Sequence, residues 1–206
     1  IDGNIAIGFE SLKGHDKGSD AGSIEHNIAI GTRALGHADF ASSTSAQLGT
    51  IGIGYYALNA LTTGSGNVAI GYTVLDANLV GSKNTAVGHE SLTTFVADAT
   101  DHGENTAVGY NSGYFVSTGT HNTYVGSNAG KGVTGGAVLT GNSNSAFGSD
   151  AGLLLQSGAT NNTLIGKDAG STLTTGTQNT ILGKASYTDD ATATNQTVIG
   201  YATTGQ

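Results

Sequence analysis

Cysteine, proline, methionine and tryptophan are all absent from this 206-residue chain. Without cysteine there is no disulfide to staple the fold and no thiol nucleophile. That suits an exported protein held together by other means, and it suits a cytosolic one equally well. Charge is scarce as well: seven Lys and Arg stand against fifteen Asp and Glu, for a net −8. The basic residues are scattered, whereas neutralising phosphate needs them clustered, so nucleic acid is discounted as a partner. No apolar run approaches the ~20 residues of a membrane-spanning helix, and nothing reads as a signal peptide. No membrane insertion of this segment is expected.

What the chain has in quantity is glycine, 34 residues of it, with many Thr, Ser, Asn and Ala. Such a composition can mean disorder. Here it does not, because the peptide N-[I/V/T]-A-[I/V]-G and its close variants recur eleven times. The copies close on Gly8, Gly31, Gly54, Gly71, Gly88, Gly109, Gly126, Gly148, Gly166, Gly183 and Gly200. The shortest interval, from Gly54 to Gly71, recurs from Gly71 to Gly88, Gly109 to Gly126, Gly166 to Gly183 and Gly183 to Gly200. That interval is the basic unit, and the other copies lengthen it by insertions. Residues 1–206 form a single repeat domain, expected to be a segment of a longer chain.

Within the pentapeptide, position four is always large and apolar, as in Ile70, Val87 and Val108, while position three is mostly Ala. Alternation over a short β-branched run is strand chemistry, with positions two and four on one face and position three on the other. The expectation is that position four fills an interior and that the small third position forms a flat face met by another chain. After the glycine, x-x-[A/S]-[L/G] reads as a second short strand or an edge segment. Position one is Asn in nine copies, among them Asn67, Asn84 and Asn105. A stacked Asn column can hydrogen-bond along the stack through its amides.

One repeat is too short to bury its own apolar face and must stack on its neighbours. The fold class expected is therefore all-β, a parallel β-solenoid or β-roll of about eleven short repeats. A coil this small encloses a thin interior, which points to several ribbons closing around an axis, with a homotrimer as the expected number.

Units such as Asn84–Thr85–Ala86–Val87–Gly88 and Asn105–Thr106–Ala107–Val108–Gly109 resemble the tandem repeats of phage tail-fibre-like and bacterial surface proteins. The same core is similar to the head repeats of trimeric autotransporter adhesins, although those are shorter. The resemblance covers essentially the whole chain. It implies a trimeric β-roll and a place outside the cell or on a virion surface.

Candidate chemistry is sparse. Lys13 to Asp20, with His15, Asp16 and Asp20, is one polar cluster, and Asp98, Asp101, His102 and Glu104 are another. Neither has a zinc-ligand spacing or the calcium nonapeptide pattern, so no metal or other cofactor is assigned. The G-x-S-x-G elbow is missing, and the adjacent pair Asp189–Asp190 does not suit glycosidase work, so no enzyme is expected. Tyr55, Tyr56, Tyr72, Tyr110 and Tyr114 lie just after closing glycines or in the following segment and are candidate ligand-binding residues, with cell-surface glycans as the partner. Asn161 and Asn195 stand in N-x-T sequons. Three functions follow: a structural and adhesive fibre segment, a glycan-binding module, and an ice-binding solenoid. The last rests on the column Thr85, Thr106, Thr123, Thr163, Thr180 and Thr197, and ranks lowest because that column shares its face with position four, expected to be buried.

Overall fold

In the computed structural model, residues 3–13, 24–36, 47–97, 102–133 and 139–205 are described. Eleven three-residue strands form one parallel sheet: β1 (Ile5–Ile7), β3 (Ile28–Ile30), β5 (Ile51–Ile53), β6 (Val68–Ile70), β7 (Thr85–Val87), β8 (Thr106–Val108), β9 (Thr123–Val125), β10 (Ser145–Phe147), β11 (Thr163–Ile165), β12 (Thr180–Leu182) and β13 (Thr197–Ile199). A second, two-stranded sheet pairs β2 (Ile24–Glu25) with β4 (Gln47–Leu48). Every strand of the large sheet is one pentapeptide repeat, and each pairs with the next at equal repeat positions, without a slip. The architecture is an all-β parallel solenoid, with no helix among the described residues. Ten strand steps at ~4.8 Å make the sheet roughly 48 Å long.

The coil turns at the closing glycine, whose φ lies between 126° and 144° in all eleven copies. A second reason excludes a side chain here. A Cβ on Gly109 would lie 2.5 Å from the carbonyl oxygen of Gly126 in the next coil. Glycine columns let adjacent corners nest at that spacing.

The segment after the corner is not the second strand that the sequence suggests. Residues two beyond the glycine are left-handed in every copy, including Glu10, Arg33, Tyr56, Glu90 and Asp168. Four beyond, Leu12, Leu35, Leu58, Leu75 and Leu92 are left-handed too. These residues reverse the amide direction at alternate positions. Asn111 donates back to the His89 carbonyl, while Gly113 donates forward to Ala129. The turn is thus hydrogen-bonded to both neighbouring coils without being a strand. Beyond the β2–β4 pair, the return wall carries isolated parallel bridges among the described residues, such as Thr160 with Thr177 and Thr177 with Thr194.

Position one forms the expected ladder. Asn105 Oδ1 accepts from both the backbone N–H and the Nδ2 of Asn122, at 3.0 and 3.1 Å. Its own Nδ2 donates to Asn84 Oδ1 and across the coil to the Gly119 carbonyl. The pattern repeats through Asn144, Asn162 and Asn179, so the ladder amides leave no polar atom unpaired. Thr50 is the weak rung, since its hydroxyl accepts from Asn67 N–H at 3.4 Å.

The two faces of the strands are the reverse of the sequence expectation. Position three points inward: Ala29, Ala69, Ala86, Ala107, Tyr124, Ala146, Leu164 and Ile181 are fully buried. Position four points outward, and Ile7, Ile70, Val108, Phe147, Ile165, Leu182 and Ile199 are 36–67% exposed. The small residues therefore do not form a flat outer face for another chain. They are small because the interior is thin and Leu35, Leu58, Leu75 and Leu92 fill it from the opposite wall. Where that leucine gives way to Gly113, Gly130, Gly152 and Gly170, the strand supplies Tyr124, Leu164 and Ile181 instead. A Cβ on Gly152 would sit 2.8 Å from Leu164 Cδ1, so volume is conserved across the core by exchange between walls.

Candidate functional site

The outer sheet face carries three columns. At position two stand Ile5, Ile28, Ile51 and Val68, followed by Thr or Ser from Thr85 to Thr197. At position four the column is apolar in all eleven strands. Neither column contains a charged residue. The third column is the residue after the closing glycine. Its middle is a ring ladder: Tyr55 stacks on Tyr72 at 5.2 Å and 9°, Tyr72 stacks on His89 at 4.9 Å and 14°, and Tyr110 follows His89 at 5.5 Å, tilted by 35°.

The ladder follows from register. One ring per coil at the same repeat position places aromatic faces against each other at roughly the strand spacing. Its consequence is chemical: rings that face each other along the stack present mainly their edges to solvent. A sugar packs on a ring face, and the faces inside this ladder are occupied by neighbouring rings.

Four of the five tyrosines singled out by the sequence join one row of rings, Tyr56 lying 4.4 Å from Tyr55 and tilted against it, and Tyr114 stands apart. Tyr55, Tyr72 and Tyr110 belong to the ladder, with His89 as its fourth ring. His89 was legible only through its repeat position, immediately after Gly88. Tyr56 lies on the left-handed turn, where its hydroxyl accepts from Arg33 Nη1 at 2.8 Å and the guanidinium lies 5.4 Å from its ring centre. Tyr114 is half-buried and packs edge-on to Phe115 at 4.5 Å. Desolvation, reinforced by Tyr56, pushes the Tyr55 hydroxyl above its ordinary range, so it stays neutral.

Lys167 and Lys184 stand in the third column, and the charged groups that follow sit away from this face. Glu10 accepts from Lys13 and, at 2.6 Å, from Arg33 Nε. The Lys13 and then the Arg33 hydrogen bonds hold its carboxyl below the usual carboxylate range. Glu104 bridges Lys83 at 3.4 Å and His121 at 3.0 Å on the coil corner. Asp190 Oδ1 accepts from the Thr192 amide and hydroxyl, both at 2.7 Å, which lowers its pKa and makes it a turn cap. Among the described residues no three His, Asp or Glu side chains gather as a metal site would require. His15, Asp16, Asp20, Asp98 and Asp101 lie outside the described residues.

Both sequons fall on the coil corner that precedes the Asn ladder. Asn161 and Asn195 are exposed and left-handed, at φ 60° and 59°. The same corner holds His26, Lys83, Glu104, His121, Ser143 and Gln178 in other copies, so its conformation is a property of the coil. Among the described residues three buried side-chain polar atoms have no partner, Thr63 Oγ1, Asn111 Oδ1 and, on the inner side of the sheet, Tyr124 Oη. Asn144 lies beside it, but its amide is committed to Asn122 and to the Ala159 carbonyl. Burial drives the Tyr124 pKa far upward.

No protein-family model, curated protein or solved structure matches the chain.

Proposed function

We propose that this chain is a structural and adhesive fibre segment, the shaft of a phage tail fibre or of a cell-surface filament. In this reading it has no catalytic role and acts outside the cell or on a virion surface. Copies of the chain associate side by side, three being the number the repeat resemblance implies. The observation that carries the reading is the uninterrupted register of eleven strands, locked at one edge by the Asn column and at the other by the glycine corners. Such an array is a spacer whose length is set by repeat number. The test is a tandem duplication of residues 1–206. Small-angle scattering should show the rod lengthen by about 53 Å, eleven strand steps, at constant cross-section. Two independent beads, or a globule, would refute it.

The glycan-binding reading has less support, because the stacked rings offer edges. A blank glycan array for the isolated chain is the expected outcome.

A second reading gains one observation. The hydroxyl column Thr85, Thr106, Thr123, Ser145, Thr163, Thr180 and Thr197 lies on the outer face, beside an exposed apolar column rather than a buried one. Insertions do not break its register. An ordered hydroxyl–methyl array of this kind suits an ice surface. Thermal hysteresis at the freezing point decides it, and its absence removes the idea.

A further inference from the structure

The outer sheet face is anomalous for a surface left in water. Exposed sheets ordinarily carry charged residues, and contiguous apolar patches beyond a few hundred square ångströms mark interaction sites. Here positions two and four of all eleven strands hold no charge. The large residues point out and the small ones in, although water should favour the opposite arrangement.

We infer that this face is covered by a second copy of the same chain, packed sheet against sheet with the position-four column at the centre of the contact. The inference rests on the side-by-side association in the fibre reading and specifies a contact that pairs two copies, in place of the threefold number that the resemblance implies. Three features favour a copy of the chain over another partner. The first is extent. The patch runs roughly 48 Å along the stack and about 13 Å from position two to the ring column, or some 600 Å². That approaches the ~800 Å² that a stable interface buries on each side. The second is shape. Three-residue strands in strict register make a ribbon without a pocket, and the surface that matches a long narrow ribbon is another one like it. The third is charge. The chain carries −8 overall, yet positions two and four contribute nothing to it, so the centre of the contact is free of like-charge repulsion, and Lys167 and Lys184 stand at the rim in the third column.

The columns divide the work. Position four is apolar throughout and is the centre of the contact. Position two is aliphatic in Ile5, Ile28, Ile51 and Val68 and hydroxylated from Thr85 onward, so along most of the stack it suits a rim that keeps water. The rings of Tyr55, Tyr72 and Tyr110 form the other rim, with their edges toward the partner.

Sedimentation of the wild-type chain across concentration tests this. The expected result is an oligomer at about 10 μM, and a monomer at ~100 μM would overturn the proposal. Val108→Lys and Ile165→Lys place a charge at the centre and should weaken association at least ~30-fold. Gln178→Lys, on the exposed coil corner, should leave it unchanged. Should the lysine variants fail to fold, Val108→Thr and Ile165→Thr keep strand propensity and should still weaken association. Carbene footprinting of the wild-type oligomer provides a measurement free of variants: Ile70, Val108 and Leu182 should be protected relative to the dilute chain. Equal labelling would overturn the interface, and a persistent monomer showing thermal hysteresis would assign the face to ice instead. The duplication experiment above reads rod length, which does not depend on association. A rod that lengthens but stays monomeric therefore refutes this interface while leaving the spacer intact.

Discussion

Replacing Gly109 by alanine isolates the contribution of the corner column. The site has φ 137°, and a Cβ there would lie 2.5 Å from the Gly126 carbonyl oxygen and 2.7 Å from its carbon. Real Cβ contacts stop near 3.0 Å, so the next coil must withdraw at this corner. Two coil-to-coil hydrogen bonds flank the point, Gly126 N–H to Val108 and Asn128 N–H to Tyr110, each 2.8 Å. Weakening both costs about 1–2 kcal/mol, and the backbone conformation adds about 1–3 kcal/mol for a residue with a side chain. The expected loss is roughly 2–5 kcal/mol. In a stack whose coils touch only their neighbours, such a loss divides the array and should split one unfolding transition into two. Urea unfolding followed by circular dichroism measures the first effect, and hydrogen exchange at the Gly126 and Asn128 amides measures the second. The control is Gly49→Asn. Gly49 is left-handed at φ 61° with nothing within 4 Å of its missing Cβ, and the equivalent corner already carries Asn161 and Asn195. It should change stability by less than ~0.5 kcal/mol. If Gly109→Ala cost under ~1 kcal/mol, or if Gly49→Asn cost as much, the close-approach argument would fail.

Asn105→Asp should destabilise in a pH-dependent way, because a carboxylate cannot donate to Asn84 and Gly119 as the amide does. Burial raises the folded-state pKa of the new acid, so the variant is most stable below the unfolded value of about 3.9 and loses stability as pH rises through the folded value. A flat difference from wild type between about pH 3 and pH 8 would refute this. Tyr124→Phe removes the one large buried side chain with an orphaned hydroxyl and should be neutral or stabilising by up to ~1 kcal/mol in urea unfolding. Tyr124→Ala should cost about 3–5 kcal/mol, and Gly130→Leu alone should overpack, since a Cβ there would overlap the Tyr124 ring. The two together should cost less than their sum, because left-handed Leu92 already shows that leucine fits this turn. Strict additivity in that cycle would mean the walls do not exchange volume.

The parallel solenoid, its register and its Asn ladder were legible because each follows from spacing. A pentapeptide that returns once per coil brings equivalent atoms to adjacent coils, whatever insertions lie between. Which face of the strand points inward was not legible from alternation, which separates two faces without saying which is dry. The rule that large residues go inside fails when the interior is one side chain deep and the opposite wall fills it. The signal was nonetheless present. Copies with Leu12, Leu35, Leu58, Leu75 or Leu92 have only Ala or Gly at position three, and large residues such as Tyr124 and Leu164 enter there only after the leucine has given way to glycine. That exchange makes sense only if both positions share a core. The turn misread as a strand gave no such sign, since left-handed Glu10, Tyr56 and Leu58 are residues that seldom adopt that conformation.

The Asn ladder has a direction. In each pair the earlier residue offers its carbonyl oxygen, and the later one brings the amide protons to meet it. A chain emerging from a ribosome or a secretion pore therefore presents, on its newest finished coil, an acceptor waiting for residues not yet delivered. Each coil can set as soon as the next repeat appears, without a distant partner to await, so closure is local at every stage. A rod made this way can grow from its first coil toward its last while the rest of the polypeptide is still being made.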